Sequence, residues 1–353
     1  MSFEDVSVRP ERSRRGARWC FAVVSLLLLA CTRGTPKPQK LTVYCSVQLE
    51  WCEAIAKSFQ QTTGITVSMT RKSAGETLAQ VTAERRNPRG DVWFGGTGDA
   101  HLQAAEALLT EPYPSPRLNE LHAWAVDPAG DHRTTGVYLG ALGYTYSRDW
   151  LARKGLTSKP TTWAALLDPK LEGEVQVANP SSSGTAYTLL ATWVQLFGEE
   201  QAFTFLKALD KNVSQYTLSG AAGARAAARG EAGIGIVFLH DAMTEKLAGY
   251  PLELVVPEEG TGYEIGCVSI IHGARHPESA KAFVDWALSK EAQELGEKAR
   301  SHQWPSNATA AAPKAVLDLS AVKLIELDLH RFGKKTERAR LLARWENEVR
   351  GGR

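Results

Sequence analysis

Long apolar runs are scarce in this chain of 353 residues. The one continuous stretch, WCFAVVSLLLLA at 19–30, is too short to cross a bilayer of roughly 30 Å as a stable helix. An excess of one charge is also missing. The 41 Lys and Arg residues nearly balance 39 Asp and Glu, for a net charge of +2. Several of those arginines precede the apolar run, so the remainder is near neutral or slightly acidic. With no basic stripe and no RNA-binding aromatic signature, a nucleic-acid partner is disfavoured. The GxSxG, HExxH and P-loop patterns are absent too. Ser183 and Asp241 are available to an exported hydrolase, but no pattern brings such a nucleophile within reach of a base. There is no tandem repeat and no long low-complexity segment.

Cysteine is sparse, with five residues, and its placement is informative. Arg9, Arg12, Arg14, Arg15 and Arg18 precede the apolar run, which contains Cys20 and ends at Cys31. That is the order of a bacterial export signal. LLAC at 28–31 resembles a lipobox, in which the cysteine becomes the lipidated first residue of the mature protein. We therefore expect a lipoprotein signal peptide over 1–31 and a linker, TRGTPKPQK, over 32–40; a plain signal peptide or an unprocessed anchor is the alternative. Cys45 closes the strand-like LTVYC, and Cys52 lies early in the helical WCEAIAKSFQQ. In an oxidising compartment a disulfide between them would pin a strand end to a helix start. A loop this short would stabilise by about 2 to 3 kcal/mol; two buried thiols are the alternative. A zinc site would need two further ligands at suitable spacing, and none is nearby. Cys267 is expected to be unpaired and buried.

About 320 residues follow the signal, more than one core usually serves, which suggests two lobes. Strand and helix patterns alternate along them: LTVYCSV, then Trp51, Ile55 and Phe59 on one helix face, then ITVSMT and SAGETLAQVTAERR, where Ser73 and Glu76 form a capping-box pattern. DVWFGG and TGDAHLQAAEALL continue the order, and EVQVAN with SGTAYTLLATWVQLFG repeats it. This βαβα order predicts a largely parallel sheet covered by helices. GVYLGALGYTYS is expected to cross between lobes and EIGCVSIIHGA to return, with helices closing the fold over the last eighty or so residues. The expected lobes are 41–137 with 266–353, and 138–265.

In open α/β sheets, ligands collect where strands end and helices begin. The short polar residues fall there: Ser46, Ser73 and Gly75, Thr97, Ser182, Ser183, Gly184 and Thr185, then His240 and Asp241 after GIGIVFL. NPSSSGTAYTLLATW at 179–193 poses the sharpest question. A helix start offers free N–H groups and partial positive charge to a phosphate or carboxylate, yet Ser and Thr are also ordinary caps. Arg71 or Lys72 would add positive charge beside the second helix start. His240, Asp241 and Glu264 suit neutral hydroxyls rather than an anion, since carboxylates repel like charge in a cleft. As a bland alternative His240 is a satisfied structural histidine and Glu264 a hinge or surface residue. Donors and acceptors together favour a ligand with a charged head and a hydroxylated body.

LTVYCSVQLEWCEAIAKSF, GDVWFGGTGDAHLQAAEALL, VANPSSSGTAYTLLATWVQLFGEEQAF, GIGIVFLHDA and EGTGYEIGCVSIIHGARH, taken in order, resemble the type II periplasmic solute-binding proteins of ABC importers. The resemblance covers roughly 41–349 and is strongest to the AfuA-like, hexose-phosphate-binding branch of the ferric-binding-protein-like family. It implies a two-lobed periplasmic-binding-protein fold with a hinge, no cofactor and no catalysis. It also implies delivery of a solute, of the glucose-6-phosphate or fructose-6-phosphate type, to a membrane permease by a monomer tethered through its lipid. Ser73, Thr97, Ser183, Gly184 and Thr185 then match the phosphate side, and His240, Asp241 and Glu264 the sugar side; the paired cysteines also resemble this branch. Ferric-binding members carry adjacent tyrosines where this chain has His240-Asp241. Iron remains the second reading, with His240, Asp241 and Glu264 as its oxygen and nitrogen ligands, and other organophosphates or phosphonates are further alternatives.

Overall fold

The computed structural model describes residues 39–156 and 159–351. The expected signal peptide, Cys31 and nearly all of the linker lie outside them.

The described chain opens with β1 (Lys40–Cys45), α1 (Leu49–Thr63), β2 (Thr66–Arg71), α2 (Ala74–Ala83), β3 (Val92–Thr97) and α3 (Gly98–Glu106). Trp51, Cys52, Ile55 and Phe59 are the buried face of α1, because residues four apart stack on one side of a helix. Burying each large apolar side chain there stabilises by about 1.5 to 3 kcal/mol. The Cys45–Cys52 disulfide is formed, with Cα atoms 5.9 Å apart, and Cys267 is free and buried, both as expected.

After the short β4 (Thr110–Glu111), β5 (Thr135–Ser147) runs buried for 13 residues. The second half follows as α4 (Arg148–Arg153), β6 (Val175–Ala178), α5 (Gly184–Phe197), α6 (Glu199–Asp210), β7 (Val213–Thr217), α7 (Ala222–Arg229), β8 (Ile234–Phe238), α8 (Leu239–Leu247) and β9 (Leu252–Val255). Then β10 (Tyr263–Ile271) returns to the first half.

The sheet order is β2-β1-β3-β10-β5-β8-β6-β7. Its two flanks are parallel, as predicted. Its centre is antiparallel, because β5 and β10 pass between the halves in opposite directions. The first part of β5, through Ala141, pairs with β10, and the part from Leu142 to Tyr146 pairs with β8. Burial on both faces explains why this strand lacks the polar–apolar alternation of a half-exposed one. One core gathers around Leu41, Phe59, Phe94 and Phe283, a second around Tyr144, Trp163, Trp193 and Phe203.

The C-terminal part departs from the sequence reading. It contains α9 (Pro277–Ala287), α10 (Lys290–Gln293), α11 (Leu295–Lys298), β11 (Trp304–Pro305), α12 (Leu329–Phe332) and α13 (Lys335–Trp345). The helical pattern after α9 is interrupted at Ser289, whose side chain caps α10 by accepting from the Ala292 N–H. The segment before α12 is mostly irregular, with one 3-10 turn at Leu319–Ala321, and Leu324 bridges to Thr261. The expected first lobe included everything from 266 to 353, yet Phe332, Leu341, Trp345 and Val349 are buried in the second core. Their apolar stripe finds its complement there: the Trp345 ring lies edge-on to Tyr216 at 5.3 Å, and Arg344 sits 4.1 Å over Phe203.

Candidate functional site

Strand ends and helix starts converge on a cleft of about 840 Å³. It is lined by all eleven residues expected to meet a ligand: Ser46, Ser73, Gly75, Thr97, Ser182, Ser183, Gly184, Thr185, His240, Asp241 and Glu264. Arg71 lines it as well. Their hydrogen bonds separate structural hydroxyls from available ones.

Ser46 Oγ accepts from Trp93 Nε1 at 3.0 Å and lies 3.1 Å from Thr77 Oγ1. Ser73 completes the capping box with Glu76: its Oγ is 2.8 Å from Glu76 Oε2, and its own N–H donates to the same oxygen at 2.8 Å. These bonds hold the Glu76 carboxyl below its ordinary range. At Ser73 the plain capping reading is therefore the observed one.

Ser183 behaves differently. It occupies the N-cap position of α5 and is only 4% exposed, but its side chain makes no capping bond. The turn before it is organised by Asn179 instead. Asn179 Oδ1 accepts from the Ser181 N–H at 2.7 Å, and its carbonyl accepts from the Ser182 and Ser183 N–H groups at 3.2 and 2.9 Å. The first N–H groups of α5 have no acceptor within the helix, and its dipole is positive at this end. A Cβ on Gly184 would stand 2.1 Å from Thr97 Oγ1, so only glycine lets the start of α5 approach the start of α3 this closely. Thr97, the N-cap of α3, likewise makes no side-chain capping bond. Three helix starts thus border one end of the cleft.

His240 and Asp241 lie in the first turn of α8, and Glu264 sits on β10 directly opposite Gly140 of β5. His240 Nε2 is 3.7 Å from Asp241 Oδ1 and 3.8 Å from Glu264 Oε1. Burial dominates the protonation of this group. It lowers the His240 pKa, with the Asp241 charge opposing, so the ring is neutral near pH 7. It raises Glu264 well above the ordinary carboxylate range, reinforced by Asp241 and opposed by a Gln303 bond. This end therefore offers a neutral imidazole beside the Glu264 and Asp241 carboxyl groups, a set that can both donate to and accept from hydroxyls. His240 is not a satisfied structural histidine, since its Nδ1 has no hydrogen-bond partner among the described residues. Nor is Glu264 a surface group, at 6% exposed. A Cβ on Gly140 would meet His240 Nδ1 at 2.7 Å and Glu264 Oε1 at 3.3 Å, so a bare backbone there makes room for both.

Sequence reasoning missed Gln48, Tyr138, Gln303 and the start of α7, all of which line the cleft. Gln303 Nε2 donates to Glu264 Oε1 at 3.3 Å and lies 3.2 Å from His240 Nε2, which leaves the ring proton on Nδ1 if that contact is a donation. Tyr138 Oη accepts from the Gly96 N–H at 3.0 Å. Ser219 to Ala221 and Arg225 bring a further helix start, again without a side-chain cap. The one usable hint was Gln48, a long amide at a strand-to-helix junction; the others follow no local pattern. Among the described residues no group of three or more His, Cys, Asp or Glu side chains is arranged to hold a metal ion.

A mixed sheet with parallel flanks, two through-strands and a polar cleft at the helix starts defines a solute-binding protein of the periplasmic type II architecture. Residues 91–328 match the family of bacterial extracellular solute-binding proteins, and the chain belongs to it. An uncharacterized protein of Haemophilus influenzae is 49% identical over 325 residues, covering 91% of this chain and 94% of that protein. The periplasmic binding protein AfuA of Actinobacillus pleuropneumoniae, solved with exogenous fructose-6-phosphate bound, superposes with a TM-score of 0.87 at 46% identity, over 88% of this chain and 99% of that one. The periplasmic binding protein P5PA matches with a TM-score of 0.84 at 38% identity, over 88% of this chain and 99% of that one.

Proposed function

We propose that this protein is the extracytoplasmic receptor of an ABC importer and takes a hexose phosphate, of the glucose-6-phosphate or fructose-6-phosphate type, for delivery to its permease. The observation that carries this reading is the start of α5: Ser183 stands at the N-cap without capping, so hydroxyl and backbone donors are left for an anion. Opposite them, His240, Asp241 and Glu264 suit neutral hydroxyls. The fructose-6-phosphate bound to AfuA supports the same ligand class.

In this reading the parts on either side of β5 and β10 are two lobes that close on the solute, the segment from 329 onward belonging with the second. Closure follows if the solute binds the closed form more tightly, and contacts from both sides supply that difference. The protein acts as a monomer held at the membrane by lipid on Cys31, and it is a receptor rather than a hydrolase.

Two measurements test the ligand. Native mass spectrometry of protein purified without added solute should show the mass of a hexose phosphate; Fe(III) in its place would shift the reading to iron. Calorimetry of Asp241→Ala should show a much larger loss for hexose phosphate than for inorganic phosphate. Equal losses would defeat the division of the cleft into anion and sugar ends.

A further inference from the structure

The helix α13 lies beyond the residues 91–328 that carry the family match, yet one of its side chains reaches the back of the anion end. Arg338 Nη1 donates to Asp99 Oδ2 at 2.6 Å, and Nη2 donates to the Pro180 carbonyl at 3.3 Å. The guanidinium lies 4.1 Å over the Tyr187 ring. Side-chain exposure is 12% for Arg338 and 7% for Asp99, so solvent and salt screen the pair little.

Each partner belongs to a different part of the anion end. Asp99 is in the first turn of α3, Pro180 is in the turn that leads into α5, and Tyr187 is on α5 itself. The planar fork of an arginine suits contacts made in two directions at once, and its flat face suits stacking on a ring. Leu341 and Trp345 root α13 in the second core, so the guanidinium is carried by a fixed support. One cation therefore joins, from behind, the two helix starts that meet at Gly184 and Thr97.

We infer that Arg338 is a positioning residue for the anion seat: it holds the start of α5 against the start of α3 and so sets affinity for a phosphate-bearing solute without touching it. This rests on the sugar-phosphate reading of the cleft. A purely structural ion pair would change thermal stability and leave affinity alone; a brace changes affinity in protein that remains folded.

The test is calorimetric titration of glucose-6-phosphate and of inorganic phosphate into the wild type, Arg338→Gln, Arg338→Lys, Asp99→Asn and the Asp99→Asn/Arg338→Gln double variant, with ligand-free thermal melts alongside. Arg338→Gln and Asp99→Asn should each weaken both ligands on the order of tenfold. Arg338→Lys should weaken them less, and the double variant should fall short of the product of the single losses, because the two residues act through one contact. Should Arg338→Gln fail to fold, Asp99→Asn, which keeps the side-chain shape, provides the same comparison. Folded single variants with wild-type Kd values would overturn the brace. A wild type that binds neither ligand would instead overturn the sugar-phosphate reading.

Discussion

Gln48 Nε2 donates to Asp241 Oδ1 at 2.9 Å, joining the residue before α1 to the first turn of α8 across 193 positions of sequence. The bond holds one oxygen of the carboxylate assigned to the sugar end, and hydrogen bonds to charged groups contribute about 1.5 to 3 kcal/mol. Gln48→Ala should therefore weaken hexose phosphate by about tenfold or more, while inorganic phosphate changes little. Parallel titrations of the two ligands check this, and equal weakening would place Gln48 at the anion end instead.

Gly184 makes a sharper steric test. A methyl group there would fall 2.1 Å from Thr97 Oγ1, so Gly184→Ala must push α5 away from α3. We expect at least a tenfold loss of phosphate affinity, since about 1.4 kcal/mol suffices for that factor, with ligand-free secondary structure unchanged by circular dichroism. Wild-type affinity in this variant would show that the approach of the two helix starts is incidental.

The protonation of Glu264 gives a pH prediction whose sign is fixed by burial. Its folded pKa is raised above the ordinary 4.5, so the stability it contributes is complete below that value and is lost as pH rises through the folded one. Glu264→Gln imitates the protonated form and removes this loss. The variant should melt higher than wild type in mildly alkaline buffer, with the gap closing as pH falls toward the carboxylate range. His240 has the opposite sign: its pKa is lowered from 6.5, so its contribution is present above 6.5 and is lost as pH falls through the lowered value. Taking the difference between variant and wild type at each pH isolates Glu264, and a gap independent of pH would show that its carboxyl is not buried in solution.

The Cys45–Cys52 disulfide closes a loop of seven-residue separation that contains Ser46 and Gln48. Chain entropy assigns such a loop about 2 to 3 kcal/mol. Replacing both cysteines with alanine should lower the melting temperature and weaken hexose phosphate through Gln48. Denaturant titration and calorimetry on the same preparation separate the two effects.

The flanks of the sheet and ten of the eleven cleft residues were legible because each sits at a junction where an apolar run gives way to short polar residues, a local pattern; Glu264, within β10, is the exception. Gln303 and Arg338 were not legible. Gln303 follows a helix end in an unpatterned loop, and Arg338 is one of many charged residues along α13; only the fold decides which of them turns inward. The antiparallel centre was hidden for a related reason: the residues of β5 and β10 show burial, while strand direction depends on the path between halves. The assignment of α13 failed because an amphipathic helix does not state which core its stripe will meet.

The start of α5 also bears on what this receptor refuses. A buried donor left without an acceptor is a liability, and a solute lacking the anionic group would enclose those N–H groups with nothing to receive them. On the proposed sugar-phosphate reading, discrimination against the bare sugar follows from the framework itself, with no side chain needed to repel the wrong guest.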